Sequence, residues 1–424
     1  MNGKAVTGKA MTRKAWAWAF YDWANSSFPT VISTFVIAAY FAQGIAPDPT
    51  TGQAQWGWMQ SAAGLCIAML SPLLGAIADA GGRRRLMLGV ATGLCAVFTA
   101  MIWFAEPDPA FALYALVCVA LATIAFEIAT VFYNSMLPEV APPGQIGRIS
   151  GFGWGLGYAG GLVCLALCLV LLVQPNPSWF GLDRGNAEHV RATALLVALW
   201  LVVFGWPALV ALPDPPGERP GWRLAASRGL AEVIGLVKHL PGNPQLARFV
   251  VARLFYTDGL NTLFAFGAIY AAGVFGMGID KILIFGIAMN VTAGAGAAGF
   301  ALIEDRVGAR RVVLLALVAM IVLGTGLLLA TEEMWFWIMA LSLGLFFGPA
   351  QAASRSFMAK LAPPGEMAAH FGLFALSGRI TGFMGPAVLA LVTTATGSQR
   401  LGMATVLVFL SLGAVILLTV RERE

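Results

Sequence analysis

The sequence predicts an all-α membrane protein of twelve transmembrane helices, arranged as two six-helix bundles related by a parallel pseudo-repeat. The composition and an internal repeat lead to this prediction. Of the 424 residues, 59% are hydrophobic and 11% are charged, and the mean hydropathy is +0.79. Soluble domains carry about 25% charged residues, so this chain needs lipid as its solvent.

The length of the apolar stretches favours helices over a barrel. A backbone in lipid must satisfy its hydrogen bonds internally, which leaves helices and closed barrels. The stretches run for about 20 residues or more, the length that a helix needs to cross a bilayer. Barrel strands would be about half as long and would alternate polar with apolar residues, which these stretches do not.

Three segments of the first half recur in the second half in the same order, at offsets of 236, 226 and 221 residues. A parallel repeat in so apolar a chain indicates two related bundles with a substrate site between them. The repeated segments are Asp22-Trp-Ala-Asn25 with Asp258-Gly-Leu-Asn261, Asp79-Ala-Gly-Gly82-Arg-Arg84-Arg85 with Asp305-Arg-Val-Gly308-Ala-Arg310-Arg311, and Ala141-Pro-Pro-Gly144 with Ala362-Pro-Pro-Gly365.

Each apolar stretch is assigned one helix. The first follows a basic tail that resembles the start of a signal peptide, but it is too long for one and lacks a clear cleavage site, so we expect it to be retained. The predicted helices are 15–43, 54–78, 86–105, 110–137, 149–173 and 192–212, then 246–275, 281–303, 310–330, 334–361, 367–395 and 399–420. The bundles are therefore predicted at 1–212 and 246–424.

A linker, 213–245, divides the halves. It opens with Pro213-Asp-Pro-Pro216, and its apolar residues from Leu230 to Val237 follow helical spacing. We predict a short amphipathic helix on the cytoplasmic membrane face. A solvated linker without a docking role is the alternative.

The distribution of Lys and Arg predicts the orientation. Nineteen of the 26 fall on the side of the N-terminus and only four on the opposite side. Because cytoplasmic loops carry the excess of positive charge, we expect both termini to be cytoplasmic and the protein to lie in a bacterial cytoplasmic (inner) membrane. This bias also accounts for the net charge of +5, so no nucleic-acid partner is predicted.

At the second and third helices the chain resembles the major facilitator superfamily. Gly75-Ala-Ile-Ala-Asp79-Ala-Gly-Gly82-Arg-Arg84-Arg85 is similar to the signature loop of that superfamily, although Ala80 replaces its usual Arg. The second copy keeps that Arg as Arg306 but has Ala301 at the leading Gly position. The resemblance covers essentially the whole chain and implies twelve helices working by alternating access.

Five further segments narrow the resemblance within the superfamily: Tyr21-Asp-Trp-Ala-Asn-Ser26, Phe132-Tyr-Asn-Ser-Met-Leu-Pro138, Gly155-Leu-Gly-Tyr158, Asp258-Gly259 and Gln351-Ala-Ala-Ser-Arg355. With these segments the chain looks most like the family that includes the fungal vacuole effluxer associated with autophagy. This resemblance implies export of neutral amino acids from the vacuole in fungi.

Six charged residues fall inside predicted helices, where a charge usually faces a cavity or a partner. Glu127, Asp258 and Arg379 are predicted to lie near the middle of the bilayer, the depth at which such transporters bind substrate. Two of the three acids lie in the first half, whereas all three arginines lie in the second. The six are Asp22, Glu127, Asp258, Arg253, Arg355 and Arg379.

In each Asp-x-x-Asn copy, the carboxylate and the amide share one helix face. Asp22 with Asn25, and Asp258 with Asn261, can therefore bind an ammonium group or hold a proton. Asn134 and Gln351 are further candidates for substrate binding. The alternative is structural: the amide bonds to a neighbouring helix and the acid caps a kink or pairs with an arginine.

The arginines predict a partner for a carboxylate, because their guanidinium fork is bidentate. At the offset of 221 residues, Arg355 aligns with Asn134 and Arg379 with Tyr158. These positions therefore carry a positive charge in the second half but not in the first. A zwitterion could place its ammonium toward Asp22 or Glu127 and its carboxylate toward Arg355 or Arg379. Glu127 is also a candidate proton carrier, with a permanent salt bridge as the alternative.

The repeated basic loops imply, from the superfamily resemblance, a conformational latch on the cytoplasmic side. In each copy an Asp at the end of a helix would engage basic residues and helix ends in the outward-open state. Solvated positive-inside charge is the alternative explanation. The latch residues are Asp79, Arg84 and Arg85 in the first copy, and Asp305, Arg310 and Arg311 in the second.

Two glycine-rich stretches match G-x-G-x-x-G, at Gly155–Gly160 and Gly294–Gly299. Both fall inside predicted helices rather than after a strand, so they are not dinucleotide sites. The superfamily resemblance implies that the fifth and eighth helices face each other across the two halves, and we interpret the glycines as a smooth contact between them. No metal pattern, ATP-binding motif or nucleophile–base constellation is visible. We therefore predict neither cofactor nor enzymatic activity, and we expect the five cysteines to be free thiols.

The sequence thus predicts a secondary active transporter of a small polar or zwitterionic organic solute, with amino acids favoured. We expect proton coupling, contact with membrane lipid and a monomer. Two alternatives stay open: an exporter of amphiphilic drugs or lysolipids, and a non-transporting membrane receptor.

Overall fold

The helices of the first half follow the predicted order. The computed structural model describes residues 11–79, 84–140, 146–212, 227, 242–361, 374, 377–378 and 380–421. We number the helices α1 (Arg13–Ile45), α2 (Pro49–Asp79), α3 (Arg84–Met101), α4 (Ala112–Ser135), α5 (Ile146–Leu167) and α6 (Glu188–Ala211). The second half contains α7 (Pro244–Phe275), α8 (Ile279–Val307), α9 (Ala309–Leu329), α10 (Glu333–Leu361), α11 (Met384–Thr396) and α12 (Gln399–Leu418).

Ten helices in the described part of the chain are long and apolar enough to cross a membrane. The two that are not counted among these ten are α2, which has 31 residues, and α11, a shorter apolar helix of 13 residues. The predicted amphipathic helix of the linker and the start of the predicted eleventh helix lie outside the described residues. All five cysteines are free.

Helix α1 departs from regular α geometry. It is α-helical over Arg13–Asn25, then forms wider π-helical turns over Phe28–Phe35 and Phe41–Ile45. Pro29 lies near the start of the first π segment and has no N–H to donate. Such π turns inside α-helices occur frequently at functional sites.

The glycine-rich stretches pack helices within each half. A Cβ on Gly160 would collide with the carbonyl of Trp23 in α1, and one on Gly296 with the carbonyl of Leu345 in α10. Gly155 has no such neighbour within 4 Å. Gly160 and Gly296 therefore let each helix approach a neighbour in its own half. The predicted contact between α5 and α8 is also present, across the boundary between the halves.

The two halves meet closely where α2 crosses α11. A Cβ on Gly57 would lie 2.8 Å from the Cβ of Ala390, and one on Gly64 would lie 3.2 Å from the Cα of Phe383. These two glycines let the helices pack almost backbone to backbone. The crossing is thus a tight joint between the first and second halves.

Side-chain amides join the halves at the end of the molecule where α1 ends and α2 begins. The Gln43 Nε2 donates to the carbonyls of Ala272, at 2.8 Å, and Met277, at 3.0 Å. The Gln53 Nε2 donates to the Thr393 Oγ1 at 3.0 Å and to the Gln399 carbonyl at 3.2 Å. We call Gln43, Gln53, Thr393 and Gln399 the amide seal. It closes this end with neutral hydrogen bonds.

Candidate functional site

A cavity of about 520 Å³ lies between the halves. Helices α1, α4 and α5 of the first half and α7, α8 and α10 of the second half contribute to its wall. Pockets for small ligands usually measure about 300–1,000 Å³. The wall is formed by Trp18, Asp22, Asn25, Ser26, Pro29, Thr30, Thr34, Phe126, Thr130, Tyr133, Asn134, Trp154, Gly157, Tyr158, Asn261, Phe264, Asn290, Phe347 and Gln351.

Asp22 brings a carboxylate to this wall, from the α-helical first part of α1. A Cβ on Gly153 of α5 would lie 2.8 Å from its Oδ2, so α5 approaches the carboxylate closely. The Tyr133 hydroxyl is buried near the same point, because that Cβ would lie 3.4 Å from the Tyr133 oxygen. The partly buried carboxyl group of Asp22 thus lies next to the hydroxyl group of Tyr133.

Amide side chains surround the rest of the cavity. Asn25 is buried, and Asn134 and Asn261 are exposed along the wall. Gln351 lies on the second-half side. An amide can both donate and accept hydrogen bonds, so these groups can bind either end of a polar solute.

Sequence reasoning missed several wall residues. Asn290 of α8 lines the cavity and donates its Nδ2 to the Gly286 carbonyl at 2.8 Å. The rings of Trp18 and Tyr133 stack, with centroids 4.3 Å apart. The sequence feature that could have indicated Asn290 is a single polar Asn within an apolar helix. Tyr133 belongs to the segment from Phe132 to Pro138 that supports the family resemblance, but the sequence analysis assigned no role to its side chain.

A second cavity of about 340 Å³ adjoins the first, since Thr130 and Asn261 line both. Glu127 of α4 is the acid in its described wall. The hydroxyl groups of Thr123 and Thr262 also line it and have no hydrogen-bond partner among the described residues. A carboxyl group and two hydroxyl groups therefore share one polar space next to the main cavity.

Asp258 is not part of either described wall, although Thr262 and Pro386 beside it line the second cavity. It is only 2% exposed, and its Oδ2 accepts a 2.9 Å hydrogen bond from the backbone N–H of Gly385. Gly385 is the second residue of α11, so the carboxylate caps the start of that helix and suits its dipole. This contact corresponds to the structural alternative for Asp258.

The arginines of the second half make contacts of different kinds. Arg253 is 5% exposed and donates to the Phe374 carbonyl and the Ser377 Oγ, both at 2.6 Å. The guanidinium of Arg355 lies 4.9 Å from the ring centre of Trp154, across the boundary between the halves. Arg379 lies outside the described residues.

The predicted latch is described only in part, because the side chains of Asp79 and Asp305 are outside the described set. Arg84 forms an ion pair with Glu139 and donates to the Ser135 carbonyl at the end of α4, at 3.0 Å. Arg310 donates to the Leu418 carbonyl at the end of α12, at 2.8 Å. Arg85 follows Arg84 in α3, and Arg311 is exposed in α9. Arg84 and Arg310 therefore both bind a helix C-terminus, where a cation is favourable.

Comparison with known proteins identifies relatives of the chain. The family model described as "Vacuole effluxer Atg22 like" matches residues 57–146 and 143–424. The uncharacterized MFS-type transporter YxiO of Bacillus subtilis is 24% identical over 96% of this chain and 94% of its own length. Autophagy-related protein 22 of Cryptococcus neoformans is 28% identical over 62% of this chain. The chain spans about half the length of that fungal relative, 48%.

Solved structures share the fold. A bacterial homologue of the human lysosomal transporter Spinster, in an inward-facing and unoccupied conformation, superposes with a TM-score of 0.71 at 15% identity over 97% of each chain. The nucleoside transporter NupG superposes with a TM-score of 0.65 at 15% identity over 96% of each chain. With these matches, the chain is an integral, multi-pass membrane transporter of the major facilitator type and belongs to the vacuole effluxer Atg22-like family.

Proposed function

We propose that this protein is a secondary active transporter that moves a small polar or zwitterionic organic solute by alternating access. The main support is the polar cavity of about 520 Å³, whose wall is shared by both halves. We further propose twelve crossings, built as bundles 1–212 and 246–424 related by the parallel repeat, with the linker 213–245 and both termini on the cytoplasmic side of a bacterial inner membrane. The protein acts as a monomer.

Amino acids are the favoured substrate class. Asp22 offers a carboxylate for an ammonium group, and the amides of Asn25, Asn134, Asn261 and Gln351 offer donors and acceptors around it. The name of the matching family, vacuole effluxer, is consistent with export of such a solute. Arg355 and Arg379 are the proposed partners of the substrate carboxylate, because a guanidinium binds it with two hydrogen bonds.

Coupling to the proton gradient is proposed to run through the acids of the two cavities, Asp22 and Glu127. A carboxylate in the membrane interior binds or releases a proton as water and counter-charges reach it. Asp258 is assigned a structural role in transport, because its carboxylate caps the start of α11 and holds that helix in place. The latch residues of the two basic loops, with Asp79 and Asp305 at the helix ends, are proposed to stabilise one of the two access states.

Transport in proteoliposomes tests this function. The purified protein should take up a radiolabelled neutral amino acid when a pH gradient is imposed, and a protonophore should abolish the accumulation. Asp22→Asn should lower gradient-driven uptake about tenfold or more, because a hydrogen bond to a charged group contributes roughly 1.5–3 kcal/mol. Asp280→Asn, which changes an exposed acid in the first turn of α8, is the matched control.

Each proposed feature has an outcome that contradicts it. Uptake that ignores both the pH gradient and the protonophore rules out proton coupling. Efflux of a lysolipid in the absence of any amino acid flux supports the amphiphile alternative instead. Full activity of Arg355→Gln and Arg379→Gln toward a carboxylate substrate removes the arginines from substrate binding.

A further inference from the structure

A groove on the outer surface of the first half takes no part in the proposed transport path. It lies between the beginning of α1 and the end of α6 and has a volume of about 430 Å³. Apolar and aromatic side chains form most of it. Its described wall consists of Arg13, Trp16, Ala17, Phe20, Trp206, Pro207, Val210 and Ala211.

Three apolar side chains of this groove are exposed on its surface. Trp16 is 48% exposed, Trp206 is 63% exposed and Val210 is 54% exposed. An exposed apolar surface of this kind on a membrane-spanning helix contacts lipid. Tryptophans near the ends of such helices mark the level of the lipid headgroups, so the two rings place the groove at the boundary between acyl chains and headgroups.

Arg13 adds a positive charge to one end of the groove. It is the first residue of α1, and its side chain is exposed. A guanidinium binds a phosphate with two parallel hydrogen bonds, and basic pockets between transmembrane helices bind anionic lipid headgroups. Lys14 is also exposed but is not part of the groove wall, so the positive charge in the described wall belongs to Arg13.

We infer that this groove binds one anionic glycerophospholipid. The phosphodiester contacts Arg13, the glycerol region lies against the rings of Trp16 and Trp206, and one acyl chain follows Phe20 and Val210. The charge complements the headgroup, and the aromatic and apolar wall complements the rest of the molecule. The site is separate from the cavity between the halves and carries no transported solute.

A lipid held here would brace two elements that matter for transport. Asp22 follows Arg13 by nine residues on the same helix, a rise of about 13 Å. Helix α6 ends at Ala211, just before the linker that joins the halves. The lipid therefore fixes the end of α1 relative to the end of α6.

Lipid titration of the purified full chain, followed by native mass spectrometry, tests the inference. The probes are palmitoyl-oleoyl phosphatidylglycerol and phosphatidylcholine with the same acyl chains. Wild-type protein should bind the first phosphatidylglycerol about fivefold more tightly than phosphatidylcholine. Arg13→Gln should abolish that preference, and Trp206→Ala should weaken the binding of both lipids.

Matched variants separate this site from general lipid contact. Lys14→Gln removes a neighbouring charge outside the groove, and Trp335→Ala removes a tryptophan that is 48% exposed elsewhere; both should bind as the wild type does. Equal effects of Arg13→Gln and Lys14→Gln, or equal binding of the two lipids by wild type, overturn the inference. Occupation of the groove by another segment of the chain would also appear as equal binding.

A second measurement does not depend on the variants. A phosphatidylglycerol with a photoactivatable diazirine in its acyl chain is added to the wild-type protein, and the crosslinked peptides are mapped. We expect labelling of residues 16–20 and 206–211 that unlabelled phosphatidylglycerol competes away. Labelling spread evenly over all lipid-facing helices contradicts a defined site.

Discussion

Individual residues of the cavity owe their positions to neighbours that lack a side chain. Asp22 can lie beside α5 because Gly153 and Gly157 present no Cβ; one on Gly157 would lie 2.6 Å from the Ser26 Oγ. Gly160 continues this contact toward Trp23. Close approach of α1 and α5 therefore holds the carboxylate of Asp22 in the cavity wall.

Gly160→Ala should destabilise the protein, because its Cβ would collide with the backbone of α1. Overpacking of this kind costs about 1–3 kcal/mol. Gly155→Ala is the control, since nothing lies within 4 Å of its added Cβ and helical Ala is more stable than Gly by roughly 0.5–1 kcal/mol. Thermal unfolding in detergent should show a lower midpoint for the first variant only. Similar midpoints for both contradict the close contact.

At the scale of elements, α2 starts with a defined cap. The Asp48 Oδ1 accepts hydrogen bonds from the N–H groups of Thr50 and Thr51, both at 2.9 Å, and its Oδ2 accepts one from the Thr51 hydroxyl at 2.6 Å. These bonds lower the pKa of the Asp48 carboxyl below its usual value, with the Thr51 hydroxyl as the largest cause. The charged form is thus favoured in the folded protein.

The lowered pKa gives a direction for pH dependence. Asp48 contributes stability above the ordinary pKa of about 3.9, and the contribution is lost as the pH falls through the lower folded-state pKa. Asp48→Asn keeps an oxygen for the cap but cannot titrate. The midpoint of its thermal unfolding should therefore fall less than that of the wild type when the pH is lowered from 5 to 3. Asp48→Ala should cost about 1 kcal/mol at pH 7. Parallel pH profiles for wild type and Asp48→Asn contradict the assignment.

The ends of the helices could be predicted well, whereas the directions of their side chains could not. The ninth helix was predicted at 310–330 and is found at Ala309–Leu329, because arginines and the length of an apolar run mark its limits. Asp22 and Asp258 look equivalent in sequence. Their surroundings differ because Asp258 contacts Gly385, 127 residues further along the chain, a contact that local spacing does not reveal. That Asn290 lines the cavity likewise depends on how the helices pack together, which local spacing does not reveal.

At the scale of the whole molecule, the contacts between halves differ at the two ends of the cavity. The amide seal closes one end with neutral hydrogen bonds. Toward the other end, Arg355 of α10 lies over the ring of Trp154 in α5. Alternating access requires one set of contacts to break while the other persists or strengthens. The balance between the two sets therefore decides which side of the cavity is open.

Gln53→Ala should shift that balance toward opening at the amide seal. It removes two hydrogen bonds, each contributing about 0.5–1.5 kcal/mol, so the open population should rise about tenfold. Hydrogen–deuterium exchange should become faster in the peptides around residues 47–57 and 393–402. Thr396→Ala is the control, since the Thr396 hydroxyl at the same end bonds, within the described part of the chain, to the carbonyl of Val392 in its own helix and to no other group. Unchanged exchange in Gln53→Ala contradicts the role of the seal.

The crossing of α2 and α11 has a mechanical consequence. Because Gly57 and Gly64 hold the two helices nearly backbone to backbone, the joint acts as a fulcrum and α2 as a lever. From Gly64 to Asp79 the lever is 15 residues long, or about 22 Å. A tilt of about 10° at the fulcrum would therefore carry the far end of α2 through about 4 Å. The lack of side chains at Gly57 and Gly64 would thus allow a small rotation at the crossing to produce an opening at the far end of α2.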